Sequence, residues 1–220
     1  MKYLSKILDW KLYQSIFFPI RSNMFFLLNG QSTIVIDPCI DEEAEKLFKE
    51  QHIQEALVLL THEHYDHVSG VNWLRKQMKC KVWAHKICAS VIEKQDIQRM
   101  YEILLRFHEG KDNMEVQPTN YHCKADCTFN IKTELIYREM KVIMMPTPGH
   151  SPGSSCYLLN GNLLFSGDSL VNGFPTITRL PGGSRKDYEK VTKAYLNSLD
   201  ENIMVYPGHG DSRQLKSWDF

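Results

Sequence analysis

The sequence predicts a layered α/β protein in which short apolar strands alternate with amphipathic helices. Two observations support this: apolar runs bounded by turn residues recur along the chain, and segments with helical periodicity separate several of them. The chain has 220 residues, which fits one domain. We expect a single domain over 1–220, with a helical insertion at about 86–126. Periodicity alone does not choose between a doubly wound sheet and a sandwich of two sheets.

The first half of the chain is predicted to hold a hairpin and then alternating helices and strands. Met24–Leu28 and Thr33–Ile36 form the hairpin, because Asn29-Gly30 between them is a strong turn signal. Ala56–Leu60 is a continuous apolar run, typical of a strand buried on both faces. The other predicted elements here are helices at Asp41–Gln51, Val71–Met78 and Ile87–Glu109, and a strand at Lys81–Ala84.

The second half returns to strands after an irregular segment, Lys111–Asp126. One helix is predicted at Asp187–Leu199, from the spacing of its apolar residues. Aromatic residues near the N-terminus are interpreted as core packing or a dimer contact: Trp10, Tyr13, Phe17 and Phe18. The predicted strands are Glu134–Tyr137, Lys141–Met145, Ser155–Leu159, Asn162–Phe165 and Ile203–Tyr206.

Composition excludes several classes of function. Lys plus Arg and Asp plus Glu each total 26, and this balance argues against a nucleic-acid-binding protein. No apolar run approaches the length of a membrane span, and the N-terminus lacks a signal-peptide pattern, so we expect a soluble, cytoplasmic protein. The six cysteines are then expected to be free thiols. Cys123 and Cys127 could contact a metal or oxidise together, although no second ligand pair lies at zinc-finger spacing.

The residues that carry chemistry lie beside strand ends and Gly/Pro turns. His62 and His64 follow the buried strand directly, and in an extended segment they project to the same side. Asp66 and His67 come next, so three imidazoles and a carboxylate fall within six residues, a ligand set well suited to Zn²⁺. Three further residues occupy positions of the same kind: His150, Asp168 and His209.

In four motifs the sequence resembles the metallo-β-lactamase superfamily, from about Ser22 to Gly210. The resemblance implies an αββα sandwich of two mixed sheets flanked by helices, with the metals in a cleft along one edge of the sheets. It implies one metal on His62, His64 and His150, a second on Asp66, His67 and His209, and Asp168 bridging them. The motifs, in order, are Thr61-His-Glu-His-Tyr-Asp-His67, Thr147-Pro-Gly-His-Ser-Pro-Gly153, Ser166-Gly-Asp168 and Pro207-Gly-His209.

The resemblance also implies a mechanism. Two divalent ions, zinc first and iron or manganese as alternatives that the same ligands accept, would supply a hydroxide near neutral pH. Asp66 is expected to act in catalysis by holding the hydroxide's proton and passing it to the leaving group. The substrate would be a small molecule, with no nucleic-acid or membrane partner, and a homodimer is compatible with the aromatic N-terminus.

Within the superfamily the sequence favours hydrolysis of a thioester. Arg179-Leu-Pro-Gly-Gly-Ser184, followed by a helix, resembles glyoxalase II-like enzymes, although the stretch also reads as an ordinary turn before a helix. Flavin-dependent di-iron oxidoreductases usually have Glu in place of His64, and zinc β-lactamases usually have Cys in place of Asp168. The helical C-terminal domain of glyoxalase II is not expected here, which leaves the thiol open. A lactonase and a mononuclear-iron persulfide dioxygenase remain alternatives, and Phe107, Tyr121 and His122 are candidate substrate contacts.

Overall fold

The computed structural model describes residues 1–18, 20–94, 97, 101–102, 121–171, 176–218 and 220. Within these residues the chain forms two β-sheets, of seven and six strands. In the first sheet the strand order follows the chain, from β1 to β7. The strands are β1 Lys2–Ile7, β2 Trp10–Phe17, β3 Ser22–Asn29, β4 Ser32–Ile36, β5 Glu55–Leu60, β6 Lys79–His85 and β7 Cys127–Phe129.

The second sheet is made from the C-terminal half, in the order β13-β12-β11-β10-β9-β8. Both sheets are mixed: the first is antiparallel up to β4 and parallel beyond it, and in the second only β11 and β12 pair in parallel. The strands are β8 Thr133–Tyr137, β9 Met140–Pro146, β10 Ser155–Leu159, β11 Leu163–Gly167, β12 Met204–Pro207 and β13 Arg213–Gln214.

Helices connect the strands and cover the outer faces of the sheets. Asp41 caps α1, because its carboxylate accepts from the Ala44 amide at 2.8 Å. The helices are α1 Glu42–Glu50, α2 Tyr65–Val68, α3 Val71–Gln77, α4 Lys86–Lys94, α5 Arg185–Asp187, a π-helical turn Tyr188–Thr192, α6 Lys193–Asn197 and a 3₁₀ turn Leu215–Ser217.

Three apolar clusters separate four layers. A central cluster that includes Trp10, Phe25 and Phe165 lies between the two sheets. A second cluster, with Phe26 and Phe48, lies between the first sheet and α1, α3 and α4. A third packs the second sheet against α6 and the C-terminal 3₁₀ turn. This arrangement is the predicted αββα sandwich of two mixed sheets, and it excludes the doubly wound alternative.

The N-terminus departs from the prediction, because it forms two full strands. β1 and β2 were missed because their side chains do not alternate cleanly: β2 has one face in the core and half-buried residues on the other. Trp10 is buried between the sheets, and Tyr13 stacks on Phe26 at 5.2 Å between ring centroids. The interpretation as core packing is therefore correct for these two aromatics, while Phe18 is exposed.

Other strand and helix boundaries shift by at most two residues. The predicted helix Asp187–Leu199 is present as α5, the π-helical turn and α6, beginning at the Ser184 cap. Of the predicted helix Ile87–Glu109, α4 is seen over Lys86–Lys94, and most of the remainder lies outside the described residues. Among the described helices, none is long and apolar enough to cross a bilayer.

Candidate metal centre

Strand ends from both sheets meet at one edge of the sandwich, and the predicted ligands lie there. β5 leads into His62 and His64, the turn between β9 and β10 carries His150, and β11 and β12 end beside Asp168 and His209. The two sheets are joined at this edge, because Tyr157 Oη donates to the Leu60 carbonyl at 2.6 Å and the Ser155 amide donates to the Thr61 carbonyl at 2.8 Å. A rigid frame therefore holds loops that are distant in the sequence.

Three imidazole nitrogens converge on one side of the cleft. His64 Nδ1 lies 3.0 Å from His62 Nε2 and 3.1 Å from His150 Nε2. In a tetrahedral zinc site with Zn–N bonds of about 2.0–2.1 Å, neighbouring nitrogens are roughly 3.3 Å apart. These three nitrogens therefore have the spacing of three ligands of one ion.

Hydrogen bonds on the far sides of the rings fix which nitrogen faces the cleft. His150 Nδ1 donates to the Ile177 carbonyl at 2.9 Å, which leaves the lone pair on Nε2. His62 Nδ1 lies 3.0 Å from Thr61 Oγ1, whose proton goes to Asp37 Oδ2 at 2.6 Å, so His62 donates here as well. Second-shell contacts of this kind orient metal-binding histidines in proteins.

A second group faces the first across the cleft. His67 Nε2 lies 3.0 Å from Asp66 Oδ2, and His209 Nε2 lies 3.6 Å from the same oxygen. Asp168 stands between the groups: its Oδ2 is 3.5 Å from both His150 Nε2 and His209 Nε2, and its Oδ1 is 3.6 Å from His67 Nε2. The structure thus brings all seven predicted ligands together, with Asp168 in the bridging position.

Divalent cations fit this donor set. Three buried atoms make no well-aligned hydrogen bond in the described part of the chain, although the first two lie 3.0 Å apart: Asp66 Oδ2, His67 Nε2 and Asp168 Oδ1. Buried polar atoms are normally paired, since an unsatisfied one costs about 1–3 kcal/mol. All three point towards the cleft between the two groups, where cations bound by nitrogen and oxygen ligands would satisfy them.

Electrostatics differ between the two groups. Burial lowers the pKa of His62 well below its usual value, and burial followed by the nearby His150 lowers the pKa of His64 to about 4. These two imidazoles are neutral at pH 7 and offer free lone pairs. Burial opposes a charge on His67, but Asp66 and Asp168 outweigh it and raise the pKa of His67 well above its usual value. A cation in the second group would replace that proton as the partner of the carboxylates.

The pKa values of the two carboxylates are lowered, whereas that of His67 is raised. Burial alone would raise the pKa of Asp66, but His67, His209 and His64 outweigh burial and hold it well below its usual value. The pKa of Asp168 is likewise lowered by its three neighbouring histidines, against the effect of burial. Both side chains are therefore ionised and ready to bind cations.

Asp37 is a functional residue that the sequence analysis missed. It follows β4, has a positive φ of 51°, and is completely enclosed beneath the site. Its Oδ1 accepts from the Thr61 amide at 2.7 Å, and its Oδ2 accepts from His67 Nδ1 at 2.9 Å and from the Thr61 hydroxyl. Because both oxygens are used in this way, Asp37 orients His67 and is not expected to bind a cation itself. A lone Asp after a strand gives no spacing signal in the sequence.

Asn23 is a second residue without a sequence signal, and it holds the turn that carries His209. Its Nδ2 donates to the carbonyls of Pro207 at 3.0 Å and Gly210 at 2.9 Å, while Gln14 Nε2 donates to its Oδ1 at 2.8 Å. The side chain is buried, and it bridges the start of β3 to the end of β12. The first sheet therefore positions a ligand that the second sheet carries.

We expect Asn23→Ala to lower the free energy of unfolding by about 2–4 kcal/mol, since three hydrogen bonds are lost and the buried Pro207 carbonyl remains unpaired. Affinity at the second group should also fall, because the His209 turn loosens. Asn72→Ala, which removes a single exposed bond to the His122 carbonyl, is the matched control. Urea denaturation and metal competition titrations measure both effects. Equal stability of the two variants would contradict the role given to Asn23.

Two positions in the motifs require glycine, for different structural reasons. Gly149 has a φ of +144°, and an added Cβ would lie 2.6 Å from the Cβ of Tyr188. Gly208 needs no unusual backbone, but an added Cβ would lie 2.1 Å from Asp168 Oδ1. Gly149 therefore permits a tight turn, whereas Gly208 permits the close approach of a predicted ligand.

The remaining candidate residues from the sequence analysis differ in where the structure places them. Tyr121 Oη donates to the Val68 and Ser69 carbonyls at 2.7 and 3.0 Å, so this hydroxyl supports the end of α2. His122 is exposed, and Phe107 lies outside the described residues. Cys123 and Cys127 belong to no group of three metal-ligating side chains in the described ranges. All six cysteines lie in those ranges and are free, as expected.

Comparison with known proteins agrees with this geometry. A family model described as the metallo-beta-lactamase superfamily matches residues 18–100, which include the first four ligands. The probable metallo-hydrolase YqgX of Bacillus subtilis is 28% identical over 194 residues, 87% of this chain and 86% of that protein. The crystal structure of the BLEG-1 B3 metallo-beta-lactamase has a TM-score of 0.75 at 26% identity, covering 93% of this chain and 94% of that one. The chain is therefore similar to proteins of the metallo-β-lactamase superfamily in its fold and in the segment that carries the first four predicted ligands.

Two other superfamily members are similar. A hydroxyacylglutathione hydrolase of Prochlorococcus marinus is 26% identical over 193 residues, 85% of this chain and 64% of that protein. A di-iron-bound form of the protein TTHA1623 has a TM-score of 0.72 at 25% identity and covers 93% of this chain and 95% of that one. One of these similar proteins is thus a thioester hydrolase by name and the other binds two irons, and the substrate and metal of this chain depend on its own site.

Proposed function

We propose that this metallo-hydrolase cleaves a thioester of a small acyl group, using two divalent ions, with zinc the first choice. The observation that carries the proposal is Asp168, whose carboxylate lies within 3.6 Å of ligands from both groups. A cation in the second group would give the three orphaned atoms a partner, and the three converging imidazole nitrogens offer a second site. The similarity to a hydroxyacylglutathione hydrolase supports the thioester.

When bound, the pair of ions would supply a hydroxide at neutral pH and polarise the scissile carbonyl. The chain's own residues do the rest. Asp66 lies between His67 and His209 and is held ionised, so its Oδ2 can take up the proton of the attacking water and release it to the leaving thiolate. Asp37 keeps a hydrogen bond on His67 Nδ1, so that ring keeps its orientation throughout.

The stretch Arg179–Ser184 lies beside the His150 turn, which supports the resemblance to glyoxalase II-like enzymes. The Ser184 amide donates to the Gly149 carbonyl at 2.8 Å, and an added Cβ on Gly182 would contact the Pro152 ring at 3.0 Å. Upstream of it, the Ile177 carbonyl accepts from His150 Nδ1. The segment therefore packs against the turn that carries His150, which supports the proposal.

A β-lactam is the second candidate substrate, favoured by the similarity to BLEG-1. Against it, Asp168 occupies the bridging position where zinc β-lactamases usually have Cys. The thioester therefore remains the first choice.

Thiol release from S-lactoylglutathione by zinc-loaded protein tests the assignment, with His64→Ala as the inactive control. We expect turnover that His64→Ala reduces by at least a hundredfold, because a ligand of the three-histidine group is lost. Hydrolysis of a γ-lactone and of a chromogenic cephalosporin is measured in parallel. Metal-replete protein that cleaves either of these but not the thioester would overturn the thioester assignment and leave the metal centre standing.

A further inference from the structure

Tyr101 carries a hydroxyl group that the fold leaves without a partner. Its oxygen is buried and makes no hydrogen bond within the described residues. Other tyrosines beside the site behave differently: the hydroxyls of Tyr121, Tyr157 and Tyr188 each donate to a backbone carbonyl. A buried hydroxyl without a partner is costly, so one that is retained beside a reactive centre calls for a ligand.

The Tyr101 ring lies against the loop that carries the metal ligands. Its centroid is 5.5 Å from that of Tyr65, the residue between His64 and Asp66. Phe17, at the end of β2, completes the group, with its centroid 6.3 Å from Tyr65 and 6.5 Å from Tyr101. All three side chains are partly exposed, and together they form an aromatic wall beside the segment that carries the ligands.

The hydroxyl is also close enough to Asp66 to sense its charge. Burial, followed by the charge of Asp66, raises the pKa of Tyr101 above its usual value. A tyrosine hydroxyl is protonated near neutral pH, so Tyr101 can donate a hydrogen bond. A donor beside a cluster of carboxylates and cations suits an acceptor oxygen on a bound substrate.

We propose that the Tyr101 hydroxyl binds the substrate, donating a hydrogen bond to an oxygen of the acyl group, while the wall of Phe17, Tyr65 and Tyr101 holds the apolar part of that group. The inference rests on the proposed function, since it deepens the description of the same site. It assigns the specificity of the enzyme to acyl groups that combine an acceptor oxygen with an apolar or aromatic substituent.

The chain provides a matched control in Tyr195. Its hydroxyl is also buried and unpaired within the described residues, but the residue packs against the apolar cluster outside the second sheet. Tyr101→Phe and Tyr195→Phe therefore remove equivalent groups, one beside the metal ligands and one in a separate layer. Any general effect of deleting an unpaired hydroxyl appears in both variants.

The test is calorimetric titration of the zinc-loaded protein with benzohydroxamate and acetohydroxamate, which present the same pair of oxygens with and without a phenyl ring. In the wild type, benzohydroxamate should bind roughly tenfold more tightly, because the phenyl group is buried on the aromatic wall. Tyr101→Phe should weaken both probes about threefold to tenfold, the effect of losing one hydrogen bond. Tyr101→Phe should leave the ratio of the two affinities unchanged, whereas Tyr101→Ala, which removes the ring, should reduce that ratio. Tyr195→Phe should change neither affinity.

Equal affinities in Tyr101→Phe and Tyr195→Phe, at equal zinc content, would overturn the inference. So would a wild-type protein that binds both probes equally well. Failure of the proposed function gives a different result: metal-replete protein that shows no thioesterase activity, while the hydroxamate affinities still decide the role of Tyr101. Zinc content and melting temperature of each variant show that the centre and the fold are intact.

Discussion

Replacing Asp168 with asparagine is expected to reduce the bound metal from two ions per chain to one and to lower kcat/KM by at least a hundredfold. Asp168 faces His150 in one group and both His67 and His209 in the other. The amide has the same shape but no charge, so the bridging contact is weakened on both sides. Changes outside the ligand shell already reduce metal affinity or activity 10–100-fold, and loss of a bridging ligand should do at least as much.

Metal analysis of the purified Asp168→Asn variant, together with its kinetics, measures this effect. Asp187→Asn is the control, because Asp187 is an exposed carboxylate on α5. The Asp168 variant should retain its fold, with far-ultraviolet circular dichroism like that of the wild type. A variant that still binds two ions and keeps full activity would show that Asp168 does not bridge them.

Asp37→Asn is expected to weaken binding of the second ion by 10–100-fold, although Asp37 is not itself a ligand. The new amide can still accept from the Thr61 amide, but it places an NH₂ group opposite His67 Nδ1 and the Thr61 hydroxyl. His67 would then accept at Nδ1 and carry its proton on Nε2, the nitrogen that faces the cleft. The variant should also lose about 1–3 kcal/mol of stability from the mismatched buried bonds.

Zinc titration against a chromogenic chelator, combined with urea denaturation in excess chelator, separates these two effects. Asn72→Ala is again the control, because it shows how the loss of one exposed hydrogen bond away from the site affects stability and zinc affinity. If Asp37→Asn lowers stability but binds both ions with wild-type affinity, Asp37 supports only the fold. A variant that loses affinity only for the ion held by His62, His64 and His150 would also contradict this role of Asp37. Asp37 forms no hydrogen bond with the nitrogens of His62 and His64 that face that ion.

Much of the site was predictable because its ligands are dense in the sequence. His62, His64, Asp66 and His67 follow one buried strand, and the Gly/Pro motifs around His150 and His209 identify the partners that the fold brings to them. The structure places these residues, with Asp168, at one edge of the sandwich, as the resemblance implied. Whether they bind two ions stays a prediction.

The supporting residues could not be predicted, for a physical reason. Asp37 and Asn23 act through hydrogen bonds to groups that are distant along the chain, 24 residues away for Thr61 and 187 for Gly210. Such contacts depend on which strand ends become neighbours, and neither periodicity nor motif spacing contains that information. Tyr101 is similar, since only the packing of its ring against Tyr65 reveals that its hydroxyl lies near Asp66.

The strands and their arrangement in sheets were also only partly predictable from the sequence. The hairpin of β3 and β4 was predictable from Asn29-Gly30, and the buried strand β5 from its apolar run. β1 and β2 were missed because aromatic residues on both faces hide the alternation of an edge hairpin. The choice of a sandwich depends on the central cluster between the sheets, which is built from residues of both halves of the chain.

The most direct test of the account is a crystal structure of the zinc-loaded protein with anomalous scattering measured at the zinc edge. The account predicts two peaks, about 3.5–4 Å apart, as in other two-metal sites. One should lie about 2.0–2.2 Å from His62 Nε2, His64 Nδ1 and His150 Nε2, and the other at the same distance from Asp66, His67 and His209, with Asp168 between them. A single peak, or peaks elsewhere in the protein, would contradict the assignment of a two-metal hydrolase.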